Sequence, residues 1–481
     1  MTAAASTDTR FLIRQAQLIS GECLDLRIAD GRIVEKAPQL LLGSDERLID
    51  AAGCALLPGL HDHHLHLFAT ASARASVRCG PEDVADEEAL FECLRAQLRL
   101  NADPIRGVGF HESVCESLDR HYLDRCCGDR IVRIQHRSGM MWVFNSAAIA
   151  ALKLSSDDVL PEGAERDAHG QLTGRFINLD AWLGQRFQGP RLSLASLSAQ
   201  LASMGISAVT DTGVNNNLAT WQSLSEQLES GYFRQRLLVM GSNALHKIVG
   251  NERISVGAVK LYLREARLPE LDEFTARIQD AHEHGRVVAI HCVTRVELYF
   301  ALAALDEAGC ILGDRIEHAA VADSYALEKL ADLGVTVVTQ PHFIAERGDQ
   351  YRRDVDIDDQ PFLYRGAGFL KAGVALAGGS DAPYGAVDPW ASMKAAVNRR
   401  SKTGYTFGDQ ENLSAQQALA LYGGDLHRPG GGLRELEVGQ LADLCLMDCD
   451  WVTVLDELDA CHVAKTFCAG QPIYERANNK C

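Results

Sequence analysis

The amino-acid sequence predicts an α/β protein: a (β/α)8 barrel, a small β-sandwich domain built from both termini, and a long insertion after the first barrel strand. Short β-branched segments alternate with helical stretches through the middle of the chain, whereas both ends show the alternation of half-buried strands. Polar residues recur where the middle strands end. The 481 residues are enough for one large domain and a smaller one.

The two ends of the chain predict the sandwich. Leu24–Ile28 alternates like a strand, and the Asp30-Gly31 pair that follows it is typical of a hairpin turn. Near the other end, residues 439–447 form a turn followed by an alternating strand. We therefore assign residues 1–57 and 430–481 to one discontinuous β-sandwich domain.

The middle of the chain predicts the barrel, because its strand-like segments reach the number that closes one. The eight segments are residues 58–67, Ile206–Asp211, Leu237–Met240, Gly257–Tyr262, Arg286–His291, Arg315–His318, Val335–Thr339 and Val374–Asp381. The barrel domain spans residues 58–429. An insertion at about 70–200 interrupts it and has strands of its own around residues 107–110 and 131–134.

Composition excludes several classes of partner. The formal charge of −18, from 47 basic and 65 acidic side chains, argues against nucleic acid and anionic membrane surfaces. No apolar run is long enough to span a membrane, and residues 1–8 lack the pattern of a secretory signal. The 14 cysteines are scattered without a disulfide framework, so we expect reduced thiols and a cytoplasmic location.

Ligand-type side chains collect at the carboxyl ends of five of the eight predicted strands, where barrel active sites are built. They are His64 and His66 on the first strand, Lys260 on the fourth, His291 on the fifth, His318 on the sixth and Asp381 after the eighth. Singly, each has a structural alternative, such as a core histidine, a solvated lysine or a helix-capping aspartate. Together, four imidazoles and a carboxylate suit Zn²⁺, with Mn²⁺ or Fe²⁺ left open.

Several motifs follow one another along nearly the whole chain. They are Pro58-Gly59 through Leu67, Trp142 with Asn145-Ser146-Ala147-Ala148, residues 205–211, Arg315-Ile316-Glu317-His318-Ala319, Gln340-Pro341-His342-Phe343, and Gly379-Ser380-Asp381-Ala382-Pro383-Tyr384. In this order the motifs resemble the amidohydrolase superfamily of metal-dependent hydrolases, and within it the amidohydrolase-3, or YtcJ-like, branch. The resemblance implies a barrel with a two-part β-sandwich and one or two divalent metal ions on the barrel rim.

The resemblance also implies a role for each matching position. His64 and His66 would hold the more buried metal, His291 and His318 the more exposed one, Lys260 would bridge two metals as a carboxylated lysine, and Asp381 would take a proton from the attacking water. His111, His136 and His342 are weaker candidates for substrate contact, and for them a structural role is equally open. The chain departs from the common pattern after the lysine, where Leu261-Tyr262 replaces Asp-Gly, so substrate specificity is not carried over.

The predicted function is hydrolysis of a C–N bond in a small molecule: an amide, an N-acyl group, a formamide or a cyclic amide. Asp381 would act as general base and then as general acid. A heterocycle deaminase, a decarboxylase-type enzyme with the same metal site, and a catalytically silent scaffold are the alternatives. Lys260 argues against the deaminase, which in this superfamily generally lacks that ligand, and the complete ligand set argues against the scaffold. The resemblance further implies a homo-oligomer, a dimer or larger.

Overall fold

The computed structural model describes residues 10–81, 83–99, 104–154, 160–186 and 192–477. The chain divides into two compact units, one of residues 1–67 and 194–481 and one of residues 68–193.

The strands of the described residues are, in chain order, β1 Phe11–Gln17, β2 Cys23–Ala29, β3 Arg32–Ala37, β4 Arg47–Asp50, β5 Leu56–Pro58, β6 Leu60–Leu65, β7 Val77–Arg78, β8 Ile105–Phe110, β9 Val132–His136, β10 Met141–Phe144, β11 Ala164–Arg166, β12 Leu172–Ile177, β13 Ile206–Asp211, β14 Arg236–Gly241, β15 Ile254–Tyr262, β16 Val288–Cys292, β17 Arg315–His318, β18 Thr336–Thr339, β19 Leu376–Gly378, β20 Leu444–Met447, β21 Val463–Cys468 and β22 Gln471–Glu475. The helices are α1 Leu67–Arg74, α2 Glu87–Arg99, α3 Arg120–Cys127, α4 Ser146–Ala151, α5 Asp180–Arg186, α6 Ala195–Ser203, α7 Leu218–Glu229, α8 Leu271–Glu283, α9 Arg295–Ala308, α10 Ser324–Leu333, α11 His342–Asp354, α12 Ala367–Lys371, α13 Pro389–Asn398, α14 Ala415–Ala420 and α15 Trp451–Glu457.

Eight parallel strands form the barrel, in the order β6, β13, β14, β15, β16, β17, β18 and β19. Helices separate most successive strands, and the strand residues are mostly buried, as expected for a parallel sheet covered on its outer side, with several buried polar residues in β6 and β17. Between β19 and β6 the sheet is nearly closed, because the Asp381 N–H donates to the His64 carbonyl oxygen (2.7 Å). The predicted fold class is confirmed, and each of the eight predicted segments overlaps a barrel strand.

Two four-stranded sheets, in the orders β3-β2-β1-β4 and β22-β21-β20-β5, make the sandwich. The predicted Asp30-Gly31 turn joins β2 to β3, and both residues have the positive φ that such a turn requires (51° and 76°). One apolar cluster includes Ile13 from the first sheet and Leu444 from the second, so the two ends of the chain share a core. Pro58 belongs to this sandwich rather than to the first barrel strand, which begins at Leu60.

The second unit contains a six-stranded sheet in the order β11-β12-β10-β9-β8-β7. Its strands β8 and β9 confirm the two strands predicted around residues 107–110 and 131–134. The buried apolar cluster beside them draws on α2 and α3 as well as on the sheet.

Two features concern the whole described chain. Within the residues that the structure describes, no helix has both the length and the apolar character needed to cross a membrane. The cysteines among those residues are all free thiols.

Candidate metal centre

Three buried side chains converge at the carboxyl end of the barrel strands. One ligand atom each of His64, His318 and Asp381 lies within 4.8 Å of the others. His66 joins them, because its Nε2 and the Nε2 of His64 both lie 3.3 Å from the same Asp381 oxygen, Oδ1. Two imidazoles and the carboxylate oxygen between them therefore point at a common centre.

The remaining two ligand-type residues border this group. The ring centroid of His291 lies 4.5 Å from that of His318. The Nζ of Lys260 lies 3.9 Å from Glu317 Oε2, and among the described residues this buried amine has no hydrogen-bond partner. All six residues that the sequence assigned to the metal thus form one contiguous group, and their roles as ligands stay predictions.

Strained backbone directs two of these side chains into the site. His318 and Asp381 have φ values of 70° and 51°, a left-handed conformation that side chains other than glycine rarely adopt. At the end of β17 this turn brings His318 to the same centre as Glu317, although strand alternation would place neighbouring side chains on opposite faces. Such strain, costing about 1–3 kcal/mol per residue, typically clusters at functional sites.

Gly379 lies where its chain segment passes close to the segment that contains His64, which leaves no room for a side chain. A Cβ added there would lie 2.4 Å from His64 Cβ and 2.6 Å from the His64 backbone nitrogen. We expect Gly379→Ala to displace His64 and to lower stability by about 1–3 kcal/mol, as overpacking does. Thermal denaturation together with metal analysis would test this. Gly184→Ala, where an added Cβ meets no atom of the described residues within 4 Å, is the control; equal metal content and equal melting temperature in both variants would contradict the expectation.

Hydrogen bonds on the outer side of the site fix two histidine rings. His64 Nδ1 donates to the fully buried Glu317 carboxylate, and His318 Nδ1 lies 2.7 Å from Gln340 Oε1. In each pair the Nδ1–H donates a hydrogen bond to the oxygen, so in the neutral ring the Nε2 lone pair faces the centre. Ring orientation of this kind is typical of histidines that bind metals.

Glu317 is the central residue that sequence reasoning missed as a functional residue. Its carboxylate accepts from His64 and from the Arg315 guanidinium, and it lies beside Lys260. The signal was present in the Arg315-Ile316-Glu317 spacing, because residues two apart on a strand share a face.

The electrostatics of the group suit a cation. Burial opposes ionisation of Asp381, but hydrogen bonds from His64 and His66 outweigh it and hold the Asp381 pKa well below its usual value. Burial lowers the pKa of His318 to about 4 and holds that of His291 far below its usual value, so both rings are neutral at pH 7. Neutral imidazoles beside an ionised carboxylate are the protonation states in which these groups bind metals.

The pKa of His64 shifts in the opposite direction to those of His291 and His318. Burial lowers its pKa, but the charge of Glu317 and the hydrogen bonds to Asp381 and Glu317 outweigh burial and raise it. The two carboxylates therefore favour a positive charge between them, either a proton on His64 or a metal cation in its place.

The three predicted substrate contacts lie in two different environments. His342 is buried and both of its ring nitrogens are engaged, Nδ1 with Ser392 Oγ at 3.1 Å and Nε2 with the Ser380 carbonyl oxygen at 3.0 Å. His111 and His136 belong to the other compact unit, where their ring centroids lie 5.8 Å apart beside Glu112. Their roles in substrate binding stay predictions.

Comparison with known proteins agrees with this geometry. The model of the amidohydrolase family, Amidohydro_3, matches residues 47–474. The chain is 25% identical to the amidohydrolase YtcJ of Bacillus subtilis (strain 168), with 89% of this chain and 90% of that protein covered. It is 26% identical to the N-substituted formamide deformylase of Arthrobacter pascens, with 98% of this chain and 97% of that protein covered.

Among solved structures, an uncharacterized metal-dependent hydrolase from Pyrococcus horikoshii OT3 has the same fold, with a TM-score of 0.75, 20% identity, and 95% of this chain and 100% of that chain covered. Because the family model matches most of its length, the chain belongs to the amidohydrolase family and is a hydrolase that acts on carbon–nitrogen bonds.

Proposed function

We propose that this hydrolase cleaves the C–N bond of a small-molecule amide, N-acyl compound, formamide or cyclic amide with a divalent metal held by the six ligand-type residues. The observation that carries the proposal is the convergence of His64, His318 and Asp381 on one centre, with His66 sharing Asp381 Oδ1. The A. pascens relative, whose name describes formamide hydrolysis, supports a substrate of this class.

The residues fit a bound metal ion. Four imidazoles and a carboxylate match the ligand preferences of Zn²⁺, with Mn²⁺ and Fe²⁺ as the other candidates. The amine of Lys260, which has no hydrogen-bond partner in the described part of the chain, needs modification before it can act as a ligand at neutral pH. When bound, the metal supplies Lewis acidity and makes a water molecule acidic enough to lose a proton near pH 7.

Asp381 has the position and the charge to move that proton. It is ionised and faces the centre, where its Oδ1 lies 3.3 Å from the Nε2 atoms of both His64 and His66. As general base it takes a proton from the attacking water, and as general acid it returns the proton to the leaving nitrogen, so the C–N bond breaks without releasing an amide anion.

Lys260 is proposed to become a carbamate. Its neutral amine adds to CO₂, forming an N–C bond and releasing one proton, and the product offers two oxygens with one negative charge. Burial lowers the Lys260 pKa to about 8, although the charge of Glu317 opposes the shift. The neutral amine that this addition requires is therefore accessible at mildly alkaline pH.

We expect CO₂ uptake by the metal-free protein to rise with pH through about 8, because only the neutral amine reacts. Carbon-13 NMR with labelled bicarbonate, at constant dissolved CO₂, would detect the carbamate in the wild type and in Lys371→Met, a control at an exposed lysine. Lys260→Met should lose the signal. A carbamate signal that persists in Lys260→Met would assign the modification elsewhere.

The substrate class is tested by assaying metal-reconstituted protein against N-acyl amino acids, N-formyl amines and cyclic amides. Release of amine and acid from any of these supports the proposal, whereas turnover confined to heterocycle deamination or decarboxylation would overturn it. Metal analysis of the active enzyme gives the number of ions, and fewer than two would remove the bridging role of Lys260. The cytoplasmic location and the homo-oligomeric state stay predictions.

A further inference from the structure

Two tyrosines contact the histidines of the candidate site and remain exposed on their outer sides. Tyr262 is 42% exposed and Tyr384 is 62% exposed. The Tyr262 ring lies against His291, with centroids 4.3 Å apart and planes inclined by 31°, whereas the Tyr384 ring meets His66 edge-on at 5.8 Å. Single exposed aromatic residues are common on protein surfaces, but these two border the reaction centre.

Strand alternation places Tyr262 at the mouth of the site. It lies two residues after Lys260 at the end of β15, so the two side chains share a face, with the lysine buried and the tyrosine at the rim. The guanidinium carbon of Arg264 lies 5.4 Å from the Tyr262 ring centroid. The ring is therefore held by His291 and Arg264 while it stays accessible.

A buried glutamate joins the loops that follow the strands of Tyr262 and His291. Glu297, 5% exposed, accepts from the Glu265 N–H at 2.8 Å and from the Val293 N–H at 2.7 Å. It also forms a capping box with Thr294 at the start of α9. One carboxylate thus fixes the loop after β15 to the loop after β16, which keeps the mouth of the site rigid on this side.

The backbone of Tyr384 is held by hydrogen bonds to Asp381 and Arg347. Its N–H donates to the Asp381 carbonyl oxygen at 2.8 Å, and its own carbonyl oxygen accepts from Arg347. The Arg347 guanidinium in turn lies 4.1 Å from the Phe343 ring centroid. Both tyrosines are therefore anchored through their backbone or neighbouring side chains.

We propose that Tyr262 and Tyr384 form an aromatic subsite that binds a planar apolar substituent of the substrate next to the scissile bond. The inference rests on the proposed function, since it concerns the substrate of the same site. Tyrosine rings offer apolar area at a small cost in conformational entropy because the side chain has only two torsions, and aromatic partners prefer stacked or edge-on contacts with them. The departure from Asp-Gly after Lys260 supplies one of the two rings.

The experiment measures affinity for the two products of a cleaved amide, so that it does not depend on turnover. Isothermal titration of full-length, metal-loaded protein compares benzylamine with cyclohexylmethylamine, and phenylacetate with cyclohexylacetate. Members of a pair have the same charge and similar size, and differ in the planarity of the ring. In at least one pair we expect the wild type to bind the aromatic member about three- to tenfold more tightly.

Variants identify the groups responsible. Tyr262→Leu and Tyr384→Leu should bring the affinities for the aromatic and the saturated member of a pair to within about twofold of each other. Tyr262→Phe and Tyr384→Phe keep the ring and should retain the preference for the aromatic member. Tyr232→Leu, at a tyrosine that is 50% exposed and outside the site, should also retain it.

Equal affinities within both pairs of compounds in the wild type would overturn the subsite. So would a preference for the aromatic member that neither Tyr262→Leu nor Tyr384→Leu changes. A third contrary result is binding of phenylacetate and cyclohexylacetate that depends only on Arg264 and is lost in Arg264→Gln. The last result would show that the mouth binds an anion. An aromatic preference that follows the two rings in a protein that cleaves no C–N substrate would support the subsite and contradict the proposed reaction.

Discussion

Asp381→Asn should lower kcat by about 10²–10⁴-fold while leaving the fold intact, because the amide has the shape of the carboxylate but cannot accept a proton. The side chain is 8% exposed and receives hydrogen bonds from two imidazoles, so its position is fixed and its charge is its main contribution. Initial rates at saturating substrate, with metal content measured on the same samples, test this expectation.

The same substitution at an aspartate outside the site is the control for a non-specific loss of activity. Asp332→Asn, at an exposed position near the end of α10, should keep wild-type activity. Turnover of Asp381→Asn within threefold of the wild type, with the metal retained, would show that another group moves the proton.

Glu317→Leu should produce the largest loss of stability, about 3–5 kcal/mol, because it removes one partner from a buried group of charges. Arg315 and Lys260 would remain buried without their carboxylate, and the His64 ring would lose the acceptor that orients it. Thermal and urea denaturation measure the loss, and Glu328→Gln, an exposed glutamate on α10, is the control.

A double variant distinguishes an unpaired charge from lost packing. Combining Glu317→Leu with Arg315→Met removes both ends of the ion pair, so part of the lost stability should return. If the double variant is less stable than Glu317→Leu by the full cost of a second independent substitution, the ion pair is not the source of the effect.

The barrel was predictable because its strands are apolar and regularly separated by helices. The positions at which the strands end were harder to predict. The predicted segment Val374–Asp381, for example, contains only the short strand β19, Leu376–Gly378. The strand ends at Gly378, and Asp381 beyond it adopts a positive φ, a conformation that depends on tertiary contacts that a single sequence does not contain.

The candidate metal centre was also predicted only in part from the sequence. The ligand-type residues were found from their common place at the ends of strands, a property of spacing. Glu317 was passed over because it adjoins His318, and alternation would separate two neighbours; the positive φ of His318 brings them to one centre. The strand order of the insertion is nearly sequential, and among the described strands the pairing of β10 with β12, which skips β11, is the step that a sequential order does not predict.

The shared core of the sandwich has a consequence for synthesis of the chain. Phe11 stacks on Phe467, with ring centroids 5.2 Å apart. At translation rates of about 5–20 residues per second, the ribosome needs roughly 20–90 s to make the chain between them. For that time the nascent N-terminal sheet exposes an apolar face whose partner strands near residues 444–467 have not yet been made, so a chaperone that holds the emerging chain should raise the yield of folded enzyme.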